Sequence, residues 1–479
     1  MKDSISTAHA AAGALRALTA MLSGVDAWLV GGWVRDGLLG RPTTDVDVVI
    51  AGDPASTARA LARRVGAAAF PLSETFGAWR VIARDRSWQV DLTPLGGETI
   101  EDDLGKRDFT INAIAEPLRG GELVDPFGGR ADVSAGLLKM VSPGAFAADP
   151  LRTLRLPRLA AELGLEVDAE TAQVSGSHAP GLGTVASERI FGELKRILVS
   201  DGALRGLELM LTLGVTSAVL PELADLRGVE QSAYHHLDVY DHTMAALAET
   251  IALERTRGAI LGEHAQAAMA TLAEPFADEL TRGQALRFGV LLHDIAKPRT
   301  RTVNREGRVM FPGHDVLGAE LARDVLARLR ASERLRAHVA ALTRQHLRLG
   351  FLVHNAPLTR RAVYRYLRAC EPVEVDVTLL SIADRLATRG ARADQAIARH
   401  LELARVLLGE ALSWRAGRPA PLVRGDELAR RLRIRPGPEL GFLLCELEAA
   451  TFAGEVSTPG EALALARELV GRGETGGAG

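Results

Sequence analysis

What most limits the fold of this chain is a change of periodicity near residue 140. Up to that point β-prone runs (AWLV, VDVVI, WRVIA, WQVDL) alternate with helical pieces such as 54–65. Beyond about residue 145 strand signals nearly vanish. Apolar residues then recur at i, i+3 and i+4 through 151–163, 187–198 and 318–329. The predicted architecture is therefore an α/β head followed by an all-helical body. Breaks fall at Ser142-Pro143-Gly144, at His178-Ala179-Pro180-Gly181 and around 226–232, and a polar, helix-poor patch at 300–313 interrupts the helices. At 479 residues the chain is too long for one core.

Several classes are disfavoured by composition. No apolar run reaches the length of a membrane span. The N-terminal segment carries Asp3, His9 and Arg16 within its apolar face, which suits an amphipathic helix better than a secretory signal. Two cysteines, Cys370 and Cys445, make neither a disulfide framework nor a zinc spacing, so a reducing cytoplasm is the simple reading. A net charge of −3 argues against a uniformly basic nucleic-acid coat, although a local patch is compatible with it. Residues 471–479 read as a frayed tail.

Residues 29–50 read LVGGWVRDGLLGRPTTDVDVVI. In a strand, Asp45 and Asp47 point to one face, where two carboxylates repel unless a cation lies between them. Paired carboxylates beside a glycine turn suit Mg²⁺ and a triphosphate: Mg²⁺ shares hard oxygen ligands with phosphates, and Gly31 and Gly32 let backbone N–H groups approach them. Arg35 adds a cation on the following helix. The plain alternative is an ordinary strand-to-helix turn and a solvated edge strand. The longer frame GG-x-V-R-D-x-L-L-G-R, then D-V-D, resembles the head of the tRNA nucleotidyltransferase and bacterial poly(A) polymerase family, a branch of the polymerase-β-like nucleotidyltransferases.

Two further motifs follow in the family's order. KRDFTINA (106–113) resembles its RRDFTINA element, which implies that Arg107 contacts the nucleotide, and DPFGG (125–129) resembles the turn that follows. Asp91, in WQVDL, is a candidate third carboxylate near the metals, with pairing to an arginine as the equal alternative. In ADPLRTLRLPR (148–158), Asp149, Arg152 and Arg155 share the spacing of one helical face, which by itself is also that of a surface ion-pair ladder. The resemblance implies that Asp149 and Arg152 read the base and that Arg155 and Arg158 help to hold the nucleotide. Ala148 stands where the family has an acid, and Pro157 removes a hydrogen bond from the helix or kinks it. SERIFGELKRIL (187–198) resembles the family's neck element and is read as packing plus a basic face toward tRNA. The stretch TPLGGETIEDDLG (93–105) is shorter than the region holding the flexible loop of enzymes that add the whole CCA end. A short loop resembles the CC-adding subset; CC-adding, A-adding and complete CCA addition all stay open here.

In the body, His242, His293-Asp294 and Asp384 form an H…HD…D series that resembles the HD metal-dependent phosphohydrolase superfamily, and His314 and His346 extend it to six candidate ligands. Imidazoles and carboxylates from different helices can converge on a divalent or transition metal and activate water. His235, His236, His338 and His354 are read as structural or surface groups.

The expected fold class is α+β: a polymerase-β-like nucleotidyltransferase head, an all-helical neck and body, and a helical HD domain. The expected boundaries are 1–142 for the head, 143–230 for the neck and body with the base-recognition element, 231–390 for the HD domain, and 391–479 for a C-terminal helical region and tail. The resemblance implies template-independent transfer of C and/or A from CTP and ATP to the 3′ end of tRNA, with Mg²⁺ at Asp45 and Asp47 and release of pyrophosphate. The partner that the resemblance implies is the tRNA acceptor arm, held mainly through phosphates. The near alternative is poly(A) polymerase, which usually carries a basic C-terminal extension where this chain has GRGETGGAG. The alternative from another class is an HD phosphohydrolase or phosphodiesterase with a nucleotide-binding head.

Overall fold

The computed structural model describes residues 2–73, 77–231, 236–255, 258, 260–389 and 393–475, with the side chains of 2–10 and 472–475 excepted. His235 lies outside the described residues. The chain forms two compact units, Met1–Val219 and Leu220–Gly479. Among the described residues no helix is long and apolar enough to cross a membrane.

The first unit is built on a six-stranded sheet. Its strands are β1 (Ala27–Val30), β2 (Asp45–Ile50), β3 (Ala68–Ser73), β4 (Ala78–Ile82), β5 (Gln89–Pro94) and β6 (Ala115–Pro117), in the order β3-β4-β5-β2-β1-β6. Only β2 and β5 pair in parallel. The period of two in DVDVVI divides that strand between two environments. Val46, Val48 and Ile50 enter a core with Leu61, Val81, Val90 and Leu92, under the helices α1 (Lys2–Met21) and α3 (Pro54–Val65). Val49 packs on the other face with Val30, Ile100 and Leu104, and by strand alternation Asp45 and Asp47 share that face. The helix α2 (Gly32–Leu38) follows β1 directly, and α4 (Ile100–Leu104) precedes the KRDFTINA segment. The neck is helical: α5 (Arg152–Leu163) packs on α6 (Ser187–Val199) and on the helix Ala203–Thr212. α5 runs through Pro157 without interruption, so the proline does not end the helix.

The second unit is helical apart from a two-stranded hairpin, Thr302–Val303 with Val309–Met310, which occupies the helix-poor patch. Five helices carry or border the residues of the His-Asp series: α7 (Val239–Arg255), α8 (Arg282–Leu292), α9 (His314–Arg328), α10 (Glu333–Gln345) and α11 (Glu374–Ala387). α8 begins with a capping box in which the Thr281 hydroxyl and the Gln284 side chain satisfy each other's backbone N–H. α12 (Ala393–Ala416) follows, and a separate small core of Leu428, Leu443, Leu447 and Ala466 closes the C-terminal helices.

The first turns of α8 and α11 are tied by a buried ion pair. Arg282 Nε donates to both Asp376 oxygens at 2.9 and 2.8 Å, and its Nη2 donates to the Pro372 carbonyl at 2.8 Å. Both side chains are almost wholly buried. Removing one member strands the other's charge inside the protein. Asp376→Ala is expected to destabilise the second unit by about 3–5 kcal/mol. Denaturant unfolding of the whole chain measures this; a loss below about 1 kcal/mol would show that water or a neighbour takes the partner's place.

Candidate active and metal-binding sites

The turn after β1 sets the geometry of the first site. Gly31 has φ +63°, and a β-carbon there would lie 3.1 Å from Asp47 Oδ2 and 3.3 Å from Arg107 Nη1. Glycine thus supplies both the left-handed backbone and the room in which main chain, carboxylate and guanidinium meet. Val30 is the register partner of Asp47, and on the other side Asp47 is the register partner of Asp91. Asp45 is exposed and Asp47 half-buried. Burial raises the pKa of the Asp47 carboxyl, repulsion from Asp91 and Asp45 adds to the rise, and Arg107 opposes it. A cation between Asp45 and Asp47 removes that penalty, and two aspartate oxygens are the donors a hard divalent ion takes. Asp91 itself is engaged: Arg80, its register partner on β4, holds it with two hydrogen bonds of 2.7 Å. Asp91 is thus arginine-paired and also stands in register beside Asp47.

The arginines around this site are anchored from behind. Arg35 Nη1 donates to Asn112 Oδ1 at 2.7 Å, and Nε donates to Asp36 Oδ1 at 2.9 Å; its Nη2 lies close beside Gly32. Arg107 donates to Asp103 Oδ2 through Nη2 at 2.9 Å, which leaves its Nη1 beside Gly31. Arg152 donates to the carbonyls of Lys106 at 2.7 Å, Arg107 at 3.2 Å and Ala145 at 3.1 Å, so the start of α5 is stitched to the KRDF segment.

The shared helical face expected of Asp149, Arg152 and Arg155 does not form. Asp149 is extended and lies before the helix; its Oδ1 accepts from Leu151 N–H at 3.2 Å and its Oδ2 from Arg189 at 2.7 Å. The short Asp side chain is satisfied by the helix start, which competes with helix continuation through that residue. Arg155 is held by Asp108, with Nε 2.8 Å and Nη2 2.6 Å from Oδ2. Burial raises the Asp108 pKa, but Arg155 and the donors Asn112 and Phe109 N–H outweigh it and keep Asp108 ionised. Arg158 is buried against Glu193 and, at 2.7 Å, Glu162. Its guanidinium faces the carboxylates of the neck and is occupied by them, so any help it gives in holding a nucleotide runs through the neck.

Residues 93–105 fold compactly. Thr99 caps α4 and forms a capping box with Asp102, Asp103 Oδ1 accepts from Gly96 N–H at 3.1 Å, and Lys106 Nζ reaches the Gly96 carbonyl. Asp125 of the DPFGG turn accepts from the N–H groups of Gly129 at 2.7 Å and Arg130 at 3.0 Å.

In the second unit six side chains from the HD series converge. His242 lies on α7, His293 and Asp294 directly after α8, His314 at the first position of α9, His346 directly after α10 and Asp384 on α11. Two overlapping sets, His242-His293-Asp294 and Asp294-His314-His346, each bring their donor atoms within 4.8 Å of one another. His314 and His346 face each other through Nε2 atoms 3.2 Å apart, and His242 Nε2 lies 2.9 Å from Asp384 Oδ1. The Nδ1 atoms of His293, His314 and His346 each lie 2.7 Å from a main-chain carbonyl, of Val290, Phe311 and Thr343. A carbonyl only accepts, so Nδ1 carries the proton and Nε2 faces the cluster. Close helix packing makes this possible: a β-carbon on Gly318 would lie 2.9 Å from Thr343 Cγ2, between α9 and α10.

Charge is concentrated there. Asp294 lies 3.1 Å from His293 Nε2 and 2.7 Å from Lys297 Nζ, yet neither of its buried oxygens makes a hydrogen bond of regular geometry. Burial raises its pKa, but His293 and Lys297 prevail and hold it well below the carboxylate range. Burial lowers the His346 pKa to about 4 and keeps the imidazole neutral, as a metal ligand must be. Four imidazoles and two carboxylates with inward lone pairs suit a divalent or transition cation. Of the histidines set aside, His338 is buried near Asp376, and His236 and His354 are exposed.

Sequence reasoning missed the anchors: Arg80, Asp103, Asp108, Asn112, Arg189 and Lys297. Asp103, Asp108, Asn112 and Lys297 lie inside or beside recognised motifs, where proximity was the available signal. Arg80 and Arg189 meet their partners only through strand register and neck packing.

Comparison with known proteins agrees with this layout. The poly(A) polymerase head domain model matches residues 27–139, a model described as a probable RNA and SrmB-binding site of polymerase A matches 164–226, and the HD domain model matches 262–389. An A-adding tRNA nucleotidyltransferase of Deinococcus radiodurans is 38% identical over 446 residues, 91% of this chain and 94% of that one. A CC-adding tRNA nucleotidyltransferase of Thermus thermophilus is 35% identical over 448 residues, 92% and 93% of the two chains. A CCA-adding enzyme solved in complex with ATP shares the fold, with a TM-score of 0.64 at 18% identity over 96% of this chain and 94% of that one.

Because the folded state raises the Asp47 pKa, its ionised form weakens the ion-free fold above that pKa, and the penalty disappears as pH falls below the unfolded value. Asp47→Asn is therefore expected to melt at a higher temperature than the parent at pH 7 in a chelator. The difference should shrink on acidification, while nucleotide transfer falls by about 10²-fold or more. Calorimetric scans across pH, read beside the transfer assay, check both; a variant that melts below the parent would contradict the assigned strain.

Proposed function

Because this chain belongs to the tRNA nucleotidyltransferase family, we propose that it extends the 3′ end of tRNA with two cytidines from CTP and leaves the terminal A to another enzyme. The observation that carries this reading is the compactness of residues 93–105. Members that add the whole CCA end have a longer flexible stretch in this region, and here the chain closes it with a doubly capped turn and α4. A segment pinned by Asp102, Asp103 and Lys106 leaves little freedom to refit the base pocket from C to A.

In the proposed reaction the tRNA 3′-hydroxyl attacks the α-phosphorus of CTP, the bond to the β-phosphate breaks, and pyrophosphate leaves. Asp45 and Asp47 are the residues that hold Mg²⁺, whose chemistry when bound is to favour the 3′-oxyanion and to neutralise the departing pyrophosphate. Gly31 and Gly32 bring backbone N–H groups to the triphosphate without a side chain in the way. Arg107, held at one edge by Asp103, keeps Nη1 toward the phosphates. Arg35, braced by Asn112 and Asp36, fixes the α2 side of the turn. Asp149 and Arg152 read the base. Both are committed to protein groups in the free enzyme, so binding exchanges the Arg189 contact of Asp149 for the edge of cytosine. Arg155 supports this surface through Asp108, and Arg158 acts only through the neck. The grip on the acceptor arm is mainly to phosphates, so affinity should fall with salt.

The buried His-Asp cluster favours a second reading, a phosphohydrolase activity of the HD centre that is separate from transfer. His242, His293, Asp294, His314, His346 and Asp384 would hold a divalent or transition ion, whose chemistry would be to activate water for attack on the phosphorus of a phosphate ester, with the P–O bond broken and the protonated alcohol released.

Incubation of the enzyme with tRNA ending at the discriminator base, with CTP alone, ATP alone and both, gives a direct answer by product length. Two added nucleotides with CTP, and the same two when ATP is also present, are expected. A third nucleotide in the mixed reaction would overturn the CC-adding assignment. Failure of His293→Ala to change the added length would show that transfer is independent of the HD cluster.

A further inference from the structure

Beside the His-Asp cluster lies a cavity of ≈ 1150 Å³, above the usual range of about 300–1,000 Å³ for small-ligand sites. α11 sends two consecutive residues to its wall, the cluster member Asp384 and then Arg385. Among the described residues Arg385 makes no hydrogen bond or ion pair with another side chain, and its Nε is buried without a partner. Arg399, from α12, lines the same cavity, is exposed, and is likewise in no ion pair among the described residues. Glu402 of α12 and His354, both exposed, also line the wall, and the cationic and imidazole groups deeper in it are engaged. Lys297 is held at 2.7 Å by both Asp294 and Gln231. His400 lies 3.1 Å from Ser381 Oγ, and burial lowers its pKa to about 4, so it adds no positive charge. Leu403 and Val406 contribute apolar surface.

A guanidinium with a buried, unpaired N–H costs free energy until an acceptor arrives. Arginine's planar fork matches phosphate oxygens two at a time. A single phosphoryl group at the metal cluster would leave much of the volume empty. We propose that Arg385 and Arg399 form an anion clamp in the HD cavity, which takes a ribonucleotide bearing phosphoryl groups on both sides of its ribose. One phosphoryl lies at the cluster, the other at the guanidiniums, and the nucleoside rests on the apolar wall. The inference rests on the reading of the cluster as a metal centre. The same chemistry occurs in a free nucleoside bisphosphate and at a 3′-phosphorylated RNA end, and the two are separable by experiment.

Titration calorimetry of the full chain loaded with Mn²⁺ would use adenosine 3′-monophosphate, adenosine 3′,5′-bisphosphate and a short oligoribonucleotide ending in a 3′-phosphate. The doubly phosphorylated probes should bind about 10-fold or more tightly than the monophosphate. That preference should vanish in Arg385→Met, with bound Mn²⁺ unchanged by elemental analysis, and return in part in Arg385→Lys, which also serves if the methionine variant folds poorly. The tighter of the two probes identifies the source. Equal affinity of all three probes for Mn²⁺-loaded protein, or a preference untouched in both variants, overturns the clamp. Failure of the parent to take up Mn²⁺ beyond a His293→Ala control overturns the metal-centre reading beneath it.

Discussion

Asp47 holds a carboxylate where sheet geometry makes one costly, and most of the first unit is arranged around that cost. Its strand must bury Val46, Val48 and Ile50 on one face, so alternation forces Asp45 and Asp47 together on the other. The parallel partner β5 then puts Asp91 beside Asp47. Three carboxylates in adjacent register would be untenable without cations, and the fold supplies one of them itself. Arg80 neutralises Asp91 from the next strand, leaving Asp45 and Asp47 as the charge still to be balanced. Any side chain at Gly31 would disturb the arrangement, because its β-carbon would press on Asp47 and Arg107.

The same logic joins the neck to the head. Asp108 belongs to the KRDF motif, and Arg155 belongs to α5, yet their charges meet inside the protein. Each stabilises the ionised form of the other: Asp108 lifts the Arg155 pKa further, and Arg155 depresses that of Asp108. A buried pair of this kind contributes less as net stability than as a fixed register, since moving either element leaves a bare charge behind. Glu193 extends the chain of charges to Arg158, and Glu162 passes it on to Arg196 on the outer side of α6. The arginines of the 148–158 stretch therefore divide by burial. Arg152 and Arg155 are half-exposed, whereas Arg158 is buried where α5 packs on α6.

This division explains what the sequence could and could not reveal. The strand of Asp45 and Asp47, the turn at Gly31, the helix 54–65 and the His-Asp series were legible because each depends on local spacing or a short motif. Strand order was not legible: β3, with its exposed AAFPLS pattern, and the three-residue β6 carry no clear alternation. The partners of the site residues were hidden for a stronger reason. Asp149 reads as a helical residue by spacing, but its side chain satisfies the N–H of Leu151 and the guanidinium of Arg189, forty positions away. Which of several arginines faces a ligand is decided by such long-range ion pairs. Identical DxxRxxR spacing would serve a solvated ladder equally well.

The HD cluster shows a local rule that becomes visible only with the helix ends known. His293 and His346 each stand one position beyond a helix, and each imidazole Nδ1 meets the carbonyl three residues back, in the last helical turn. Carbonyls of a last turn have no intrahelical partner, so the histidine satisfies one of them and is oriented by doing so. The outward consequence is that Nε2 has a single direction left, toward Asp294 and the facing ring of His314. A histidine one turn earlier would find its carbonyl already bonded within the helix and would lose both tautomer and aim. Placement at helix termini thus fixes the tautomer and aim of these side chains in the protein alone. It also accounts for the raised pKa of His293 in the ion-free protein, because the neighbouring Asp294, reinforced by Asp384, outweighs the burial of the ring.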